Sequence, residues 1–139
     1  MSEPSNDVVS NPGHYKHPSG VECKEIVYDL PKITGDPIKY IWRAPYKGKP
    51  VEDLRKAKEM LRESTDRRRT ETYNVLLNRP DIFDKASQVA SFEEGSSLLR
   101  KTLEVLIILS HYIRDDEVTK LIEAIDDEIE HYLSFEDNI

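Results

Sequence analysis

Seven of the eight prolines lie within the first 50 residues of this 139-residue chain, and only Pro80 lies beyond Pro50. Proline has no backbone N–H and its ring clashes with the preceding helical turn, so helices end or kink where it falls. The first third is therefore predicted to be cut into short pieces, while the remainder is free to form long helices. No segment alternates apolar and polar residues long enough to make a strand. The expectation is an all-α protein, a compact helical domain with a long C-terminal helical hairpin and no significant sheet.

The pattern divides the chain into a disordered tail over 1–10, a region of short helices and a basic loop over 11–63, and a helical extension over 64–139. That extension either completes the core or mediates oligomerisation. Asn11-Pro12-Gly13 and Pro18-Ser19-Gly20 are turn signals on either side of His14-Tyr15-Lys16-His17. Val21, Ile26, Val27 and Leu30 suit a short helix stopped by Pro31. Gly35-Asp36-Pro37 reads as a helix start, with Asp36 as N-cap and Pro37 first inside a helix from about Ile38 to Ala44. Pro50 opens a third helix. It either runs to about Asn78 or breaks after Leu61, because Arg62 to Thr72 contain no apolar residue.

Residues 80–97 read as a short helix or loop. Leu98 to Ile113 is apolar on nearly every side, which makes it the central core helix or a subunit interface. His111 within it is expected to be a satisfied core histidine, and His131 a surface one. From about Asp116 to Phe135, Val118, Leu121, Ile122, Ile125, Ile129, Tyr132 and Leu133 form a stripe opposite an acidic face.

Charge narrows the classes of partner. The net charge is −7, which argues against nucleic-acid backbone as a ligand. It is unevenly spread: residues 1–38 carry a net −3, 39–69 a net +6 and 70–139 a net −10. The middle block is where an anion would bind, unless it pairs with the acidic half. The longest apolar run, Val105 to Leu109, has five residues, far short of the ~20 that span a membrane. The N-terminus has neither the basic nor the apolar region of a signal peptide. The one cysteine, Cys23, excludes an intrachain disulfide framework. A soluble protein of the cytoplasm is expected.

No Gly-rich phosphate loop and no G-x-G-x-x-G is present. Lys39 and Arg43, four apart, share a helix face beside Tyr40 and Trp42. Lys47 and Lys49 follow in a glycine-containing loop. Arg55 and Lys56 stand near the start of the next helix, whose free N–H groups suit an anion. These groups are candidates for phosphate, with Tyr15, Tyr40 or Trp42 stacking on a base and His17 as a further ligand contact. In the alternative, Tyr40 and Trp42 pack in the core while Lys39 and Arg43 pair with Glu22, Glu25 or Asp53.

Taken in order, Asn11-Pro12-x-His14-Tyr15, Gly20-x-Glu22-Cys23, Ile38-Lys39-Tyr40-Ile41-Trp42-Arg43, Lys47-Gly48 and Asp53-Leu54-Arg55-Lys56-Ala57 form a distinctive series. It resembles a small bacteriophage-encoded family often labelled as a domain of unknown function or as nucleotide kinase, over about residues 11–62. Gly35-Asp36-Pro37 and Ala44-Pro45-Tyr46-Lys47 depart from that family's usual Gly-Asn-Ala and Ala-Gly-Lys-Lys.

The resemblance implies a nucleotide or nucleotide-derived ligand, and phosphorylation of deoxynucleoside monophosphates in the host cytoplasm. Lys39, Arg43 and Lys47 would then neutralise the transferring phosphate, and His14 would orient or protonate a phosphate oxygen. Glu22 and Asp53 are candidate ligands for Mg²⁺. A non-catalytic binder or sponge uses the same cations without a metal. A protein–protein interaction protein would instead use the Leu98–Ile113 segment and the acidic last helix. Self-association is expected in each case, to cover so apolar a segment.

Overall fold

A computed structural model of the chain describes residues 17–137. Within them lie α1 (Cys23–Val27), α2 (Lys32–Arg43), α3 (Pro50–Leu61), α4 (Thr65–Asn78), α5 (Pro80–Phe92), α6 (Leu98–Leu103) and α7 (Asp115–Asp137). Between α6 and α7 come a π-helical turn, Glu104–Ile108, and a 3-10 turn, Ser110–Tyr112. The described residues contain no β-strand, so the all-α expectation holds. The tail expected over 1–10 lies outside the described residues.

The helix α1 is shorter than expected, and a reciprocal cap fixes its start. The Glu22 side chain accepts from the Glu25 backbone, while the Glu22 N–H donates to Glu25 Oε2 at 2.7 Å. Helix α2 corrects the sequence reading more sharply. It begins at Lys32, where the Pro31 carbonyl accepts from Thr34 and Gly35 N–H at 2.9 and 2.8 Å, and runs straight through Gly35-Asp36-Pro37. Gly35 is there for proximity, since a Cβ would sit 3.1 Å from the Val27 carbonyl oxygen of α1. Asp36 does not cap; it lies 4.0 Å from Lys32 one turn back.

Pro37 inside a helix orphans the carbonyl four residues earlier, that of Ile33. Arg68 of α4 repairs it. Its Nε donates to Ile33 O at 3.0 Å, and its Nη2 to Met60 O near the end of α3 at 2.9 Å. The side chain is 1% exposed, and burial lowers its guanidinium pKa, with Glu63 opposing. A basic residue in the most polar stretch of sequence is thus the staple between α2, α3 and α4. Beside it, Thr34 and Thr72 join their hydroxyls at 2.6 Å.

Of the two readings of the third helix, the break is the one observed. Helix α3 ends at Leu61, and Ser64 caps α4 by accepting from Arg67 N–H at 3.1 Å. The Leu98–Ile113 segment is not one helix but α6 and two irregular turns. Leu109 N–H reaches back to Glu104 O at 2.8 Å, five residues earlier, which widens the turn. Leu106 and Ile107 are thereby buried and Leu109 is half in solvent. His111, expected in the core, is exposed instead. The 3-10 turn buries its neighbour Ser110 and leaves the imidazole tilted against Tyr73, 4.7 Å between centroids. One apolar cluster unites Ile26, Ile38 and Leu54 of the first three helices with Ile82, Leu103 and Ile125 of the last three. The long α7 packs mainly along α3, where Lys58 meets Asp126 at 2.7 Å.

Candidate functional site

Successive residues of an α-helix are rotated by about 100°, so α2 shows two opposed faces. Lys39, Tyr40 and Arg43 fall on one arc; Ile41 and Trp42 fall on the other. The sequence candidates are therefore divided between two places.

On the first face, the half-buried Tyr40 ring gathers three cations from two helices. Arg43 Cζ is 4.9 Å from its centroid, Lys39 Nζ 5.3 Å and Lys56 Nζ of α3 5.7 Å. Arg43 also donates through Nε and Nη2 to the two carboxylate oxygens of Asp53, both at 3.3 Å. Asp53 is 3% exposed, so this pair ties α2 to the first turn of α3. Lys39, Lys47, Arg55 and Lys56 have no carboxylate at ion-pairing distance among the described residues, and Lys49 lies 3.9 Å from Glu52. Lys47, Lys49, Arg55 and Lys56 are exposed. The Cys23 thiol is buried close enough to feel Lys39 and Arg43. Burial pushes it up to about 12 while the two cations pull the other way.

The second face borders a cavity of about 340 Å³. Ile41, Trp42 and Leu54 line it with Leu98 and Leu99; His17, Glu93, Glu128 and Tyr132 supply polar groups. His17 is 4% exposed and stands edge-on to Trp42. Its Nδ1 accepts from the Ser19 N–H at 3.1 Å and lies 2.9 Å from Ser19 Oγ. Nε2, on the other side of the ring, donates to Glu93 Oε2 at 2.5 Å. Ser97 Oγ donates to the other Glu93 oxygen at 2.6 Å. Burial pushes the Glu93 carboxyl up, but the hydrogen bonds from Ser97 and His17, with the charge of His17, outweigh it and hold the group below the ordinary value of 4.5.

His14 and Tyr15 lie outside the described residues. Of the two carboxylates considered for a metal, Glu22 caps α1 and lies 3.6 Å from Lys24, and Asp53 is held by Arg43. A divalent ion at Asp53 would have to displace the guanidinium. Among the described residues no group of three or more His, Cys, Asp or Glu is placed to hold a metal, and no helix is long and apolar enough to cross a membrane.

Sequence reasoning singled out neither Glu93 nor Ser97, and read Glu128 only as part of the acidic face of the last helix. Glu93 is 76 residues from the histidine it fixes, and no spacing rule reaches that far. The turn Glu93-Glu94-Gly95-Ser96-Ser97, dense in polar residues between two apolar stretches, was the available signal.

Fold and faces together define a small all-helical protein with a cationic helix-hairpin face and an acid-rimmed cavity behind it. Residues 9–62 match the model of a family described as a protein of unknown function, DUF3310. That segment holds α1 to α3 and all of the cationic face, and none of Glu93, Ser97 or Glu128. Comparison with curated proteins and with solved structures finds no match.

Proposed function

We propose that the protein binds a nucleotide through its phosphates on the α2–α3 face, with Lys39, Arg43 and Lys56 at the centre and Lys47, Lys49 and Arg55 around them. The observation that carries this reading is the gathering of three cations on one tyrosine ring, with a single carboxylate among the described residues, Asp53, paired to them. Like charges held together repel, and a polyanion relieves that repulsion while gaining charge-assisted hydrogen bonds. The nucleotide, as distinct from any other phosphate, rests on the likeness of the Ile-Lys-Tyr-Ile-Trp-Arg series to the phage family.

Phosphoryl transfer to a deoxynucleoside monophosphate, aided by Mg²⁺, is the stronger form of the proposal, and retention without conversion is the weaker. Arg43–Asp53 and the Glu22 cap favour the weaker, because both carboxylates already have structural partners. Self-association in the host cytoplasm belongs to the same reading: Leu77, Phe83 and Leu109 leave apolar surface uncovered, and a monomer by light scattering removes that part.

The test is incubation of purified protein with Mg²⁺ and a mixture of nucleoside mono- and triphosphates, then chromatography of bound and free pools. Unchanged nucleotide retained with the protein supports a binder, and new diphosphate in the free pool supports a kinase. Neither retention nor conversion refutes both. Lys39→Gln with Lys56→Gln is expected to weaken retention roughly tenfold or more, at about 1.4 kcal/mol per decade. These side chains make no ion pair among the described residues, so the fold should survive the change.

A further inference from the structure

The cavity on the opposite face of α2 has an electrostatic character unlike that of the proposed phosphate site. Its volume of about 340 Å³ lies within the range of small-molecule pockets. Trp42, Leu98 and Leu99 give it an apolar floor, and the carboxylates of Glu93 and Glu128 stand at its edge. Among the described residues no lysine or arginine lines it. Arg100 is engaged with this wall but spends its guanidinium elsewhere: it donates to the Glu93 backbone oxygen at 3.0 Å and to Glu104 at 3.1 Å.

Among the described residues, His17 is the one basic side chain that lines the cavity. The Ser19 N–H is directed at Nδ1, and Nε2 on the other side of the ring aims Glu93. With Ser97 on the second oxygen, the Glu93 carboxylate is held in one orientation before any ligand arrives, and each oxygen keeps a free lone pair. Glu128 has no ion-pair partner among the described residues. Its charge is felt by Tyr132, whose phenol pKa is raised by burial first and by Glu128 second.

We propose that this cavity is a second ligand site, for a small organic cation: an ammonium or guanidinium head between Glu93 and Glu128, on an apolar body seated against Trp42 and the α6 leucines. The assignment is independent of the nucleotide reading, because it uses the opposite face of α2 and the opposite sign of charge. An anion would meet two carboxylates there, with no lysine or arginine among the described lining residues. A neutral apolar molecule would take Glu128 out of water with no ion-pair partner among the described residues, and would leave the free lone pairs of Glu93 unused, which is unfavourable.

Trp42 is the only tryptophan of the chain, so its fluorescence reports occupancy directly. Full-length protein is titrated with phenethylamine, and in parallel with phenylacetate, phenethyl alcohol and guanosine as probes of similar or larger apolar body. Saturable change with phenethylamine, at least tenfold tighter than with the other three, supports the proposal. Equal response to phenethyl alcohol overturns it, since the cavity then reads only the apolar body. Preference for phenylacetate overturns the charge assignment. Preference for guanosine makes the cavity a base pocket and overturns the separation of the two sites. No response to any probe overturns the site itself.

Glu128→Gln, at a half-buried lining residue, is expected to cost about tenfold in phenethylamine affinity. It should leave thermal unfolding and nucleotide retention unchanged. Unaltered affinity in that variant removes Glu128 and with it the two-carboxylate head site.

Discussion

The two faces of α2 are built in opposite ways. The cationic face draws on residues within 18 positions of one another, Lys39 to Lys56, brought together by a single helix hairpin. The cavity face takes His17 from before α1, Trp42 from α2, Glu93 from the end of α5 and Glu128 from the middle of α7. A hairpin fixes its own geometry through short connections. A cavity drawn from the length of the chain exists only when the whole core has closed. The first should tolerate loosening of the C-terminal half, and the second should not.

The largest effect that would break this comparison lies beneath the cationic face. With its thiol pushed from 9.0 up to about 12, Cys23 carries roughly 10³-fold less thiolate at pH 8 than an ordinary cysteine. Native protein is therefore expected to react with iodoacetamide about a thousandfold more slowly than unfolded protein, read by mass spectrometry against time. Lys39→Gln, which removes a charge that lowers this pKa, should slow the reaction further rather than speed it. Labelling at the unfolded rate would mean that α1 does not stay seated on α2, and the face would lose its floor.

Next in size is the staple. Arg68→Leu removes both side-chain hydrogen bonds and leaves Ile33 O, which Pro37 cannot serve, without a donor. The expected cost is about 2 kcal/mol, partly offset by relief of the buried charge, and is read from the urea midpoint. Pro37→Ala restores an N–H to that carbonyl, so in the Arg68→Leu background it should recover about 1 kcal/mol more than it contributes in the native one. Additivity of the two changes would show that Arg68 does not act through α2, the wall common to both faces.

That staple also marks where the sequence stopped being legible. The stripe from Val118 to Ile129 lies in α7 with its apolar positions buried or half-buried, because a 3.6-residue period is a local property of the chain. The cations at Lys39, Arg43 and Lys56 were legible for the same reason. Gly35-Asp36-Pro37 was misread as a helix start because its local chemistry does favour one, and tertiary partners override it. Val27 and Leu30 need Gly35 for close approach, and Arg68, more than 30 residues away, replaces the donor that Pro37 lacks. His111 was misplaced when a π turn, invisible to a fixed period, rotated the segment. The Glu93 anchor had no local signature beyond a polar turn.

The smallest effect sharpens the contrast through acid. Glu93 is depressed in the folded protein relative to its ordinary value of 4.5. Its ionised form therefore stabilises the fold fully above that value, and the contribution is lost as pH falls through the lower folded one. About a quarter of its side chain is in solvent, so the contribution is below about 1 kcal/mol. Protonation removes an acceptor from His17 and Ser97 and frees the segment from His17 to Val21 before the core gives way. Trp42 emission, reporting the cavity wall, should shift below pH 4.5 ahead of the loss of far-ultraviolet helix signal, and Glu93→Gln should abolish that early step. Coincident transitions in the native protein would mean that the cavity wall has no stability of its own. The two faces would then rise and fall as one cooperative unit, against the independence that their construction implies.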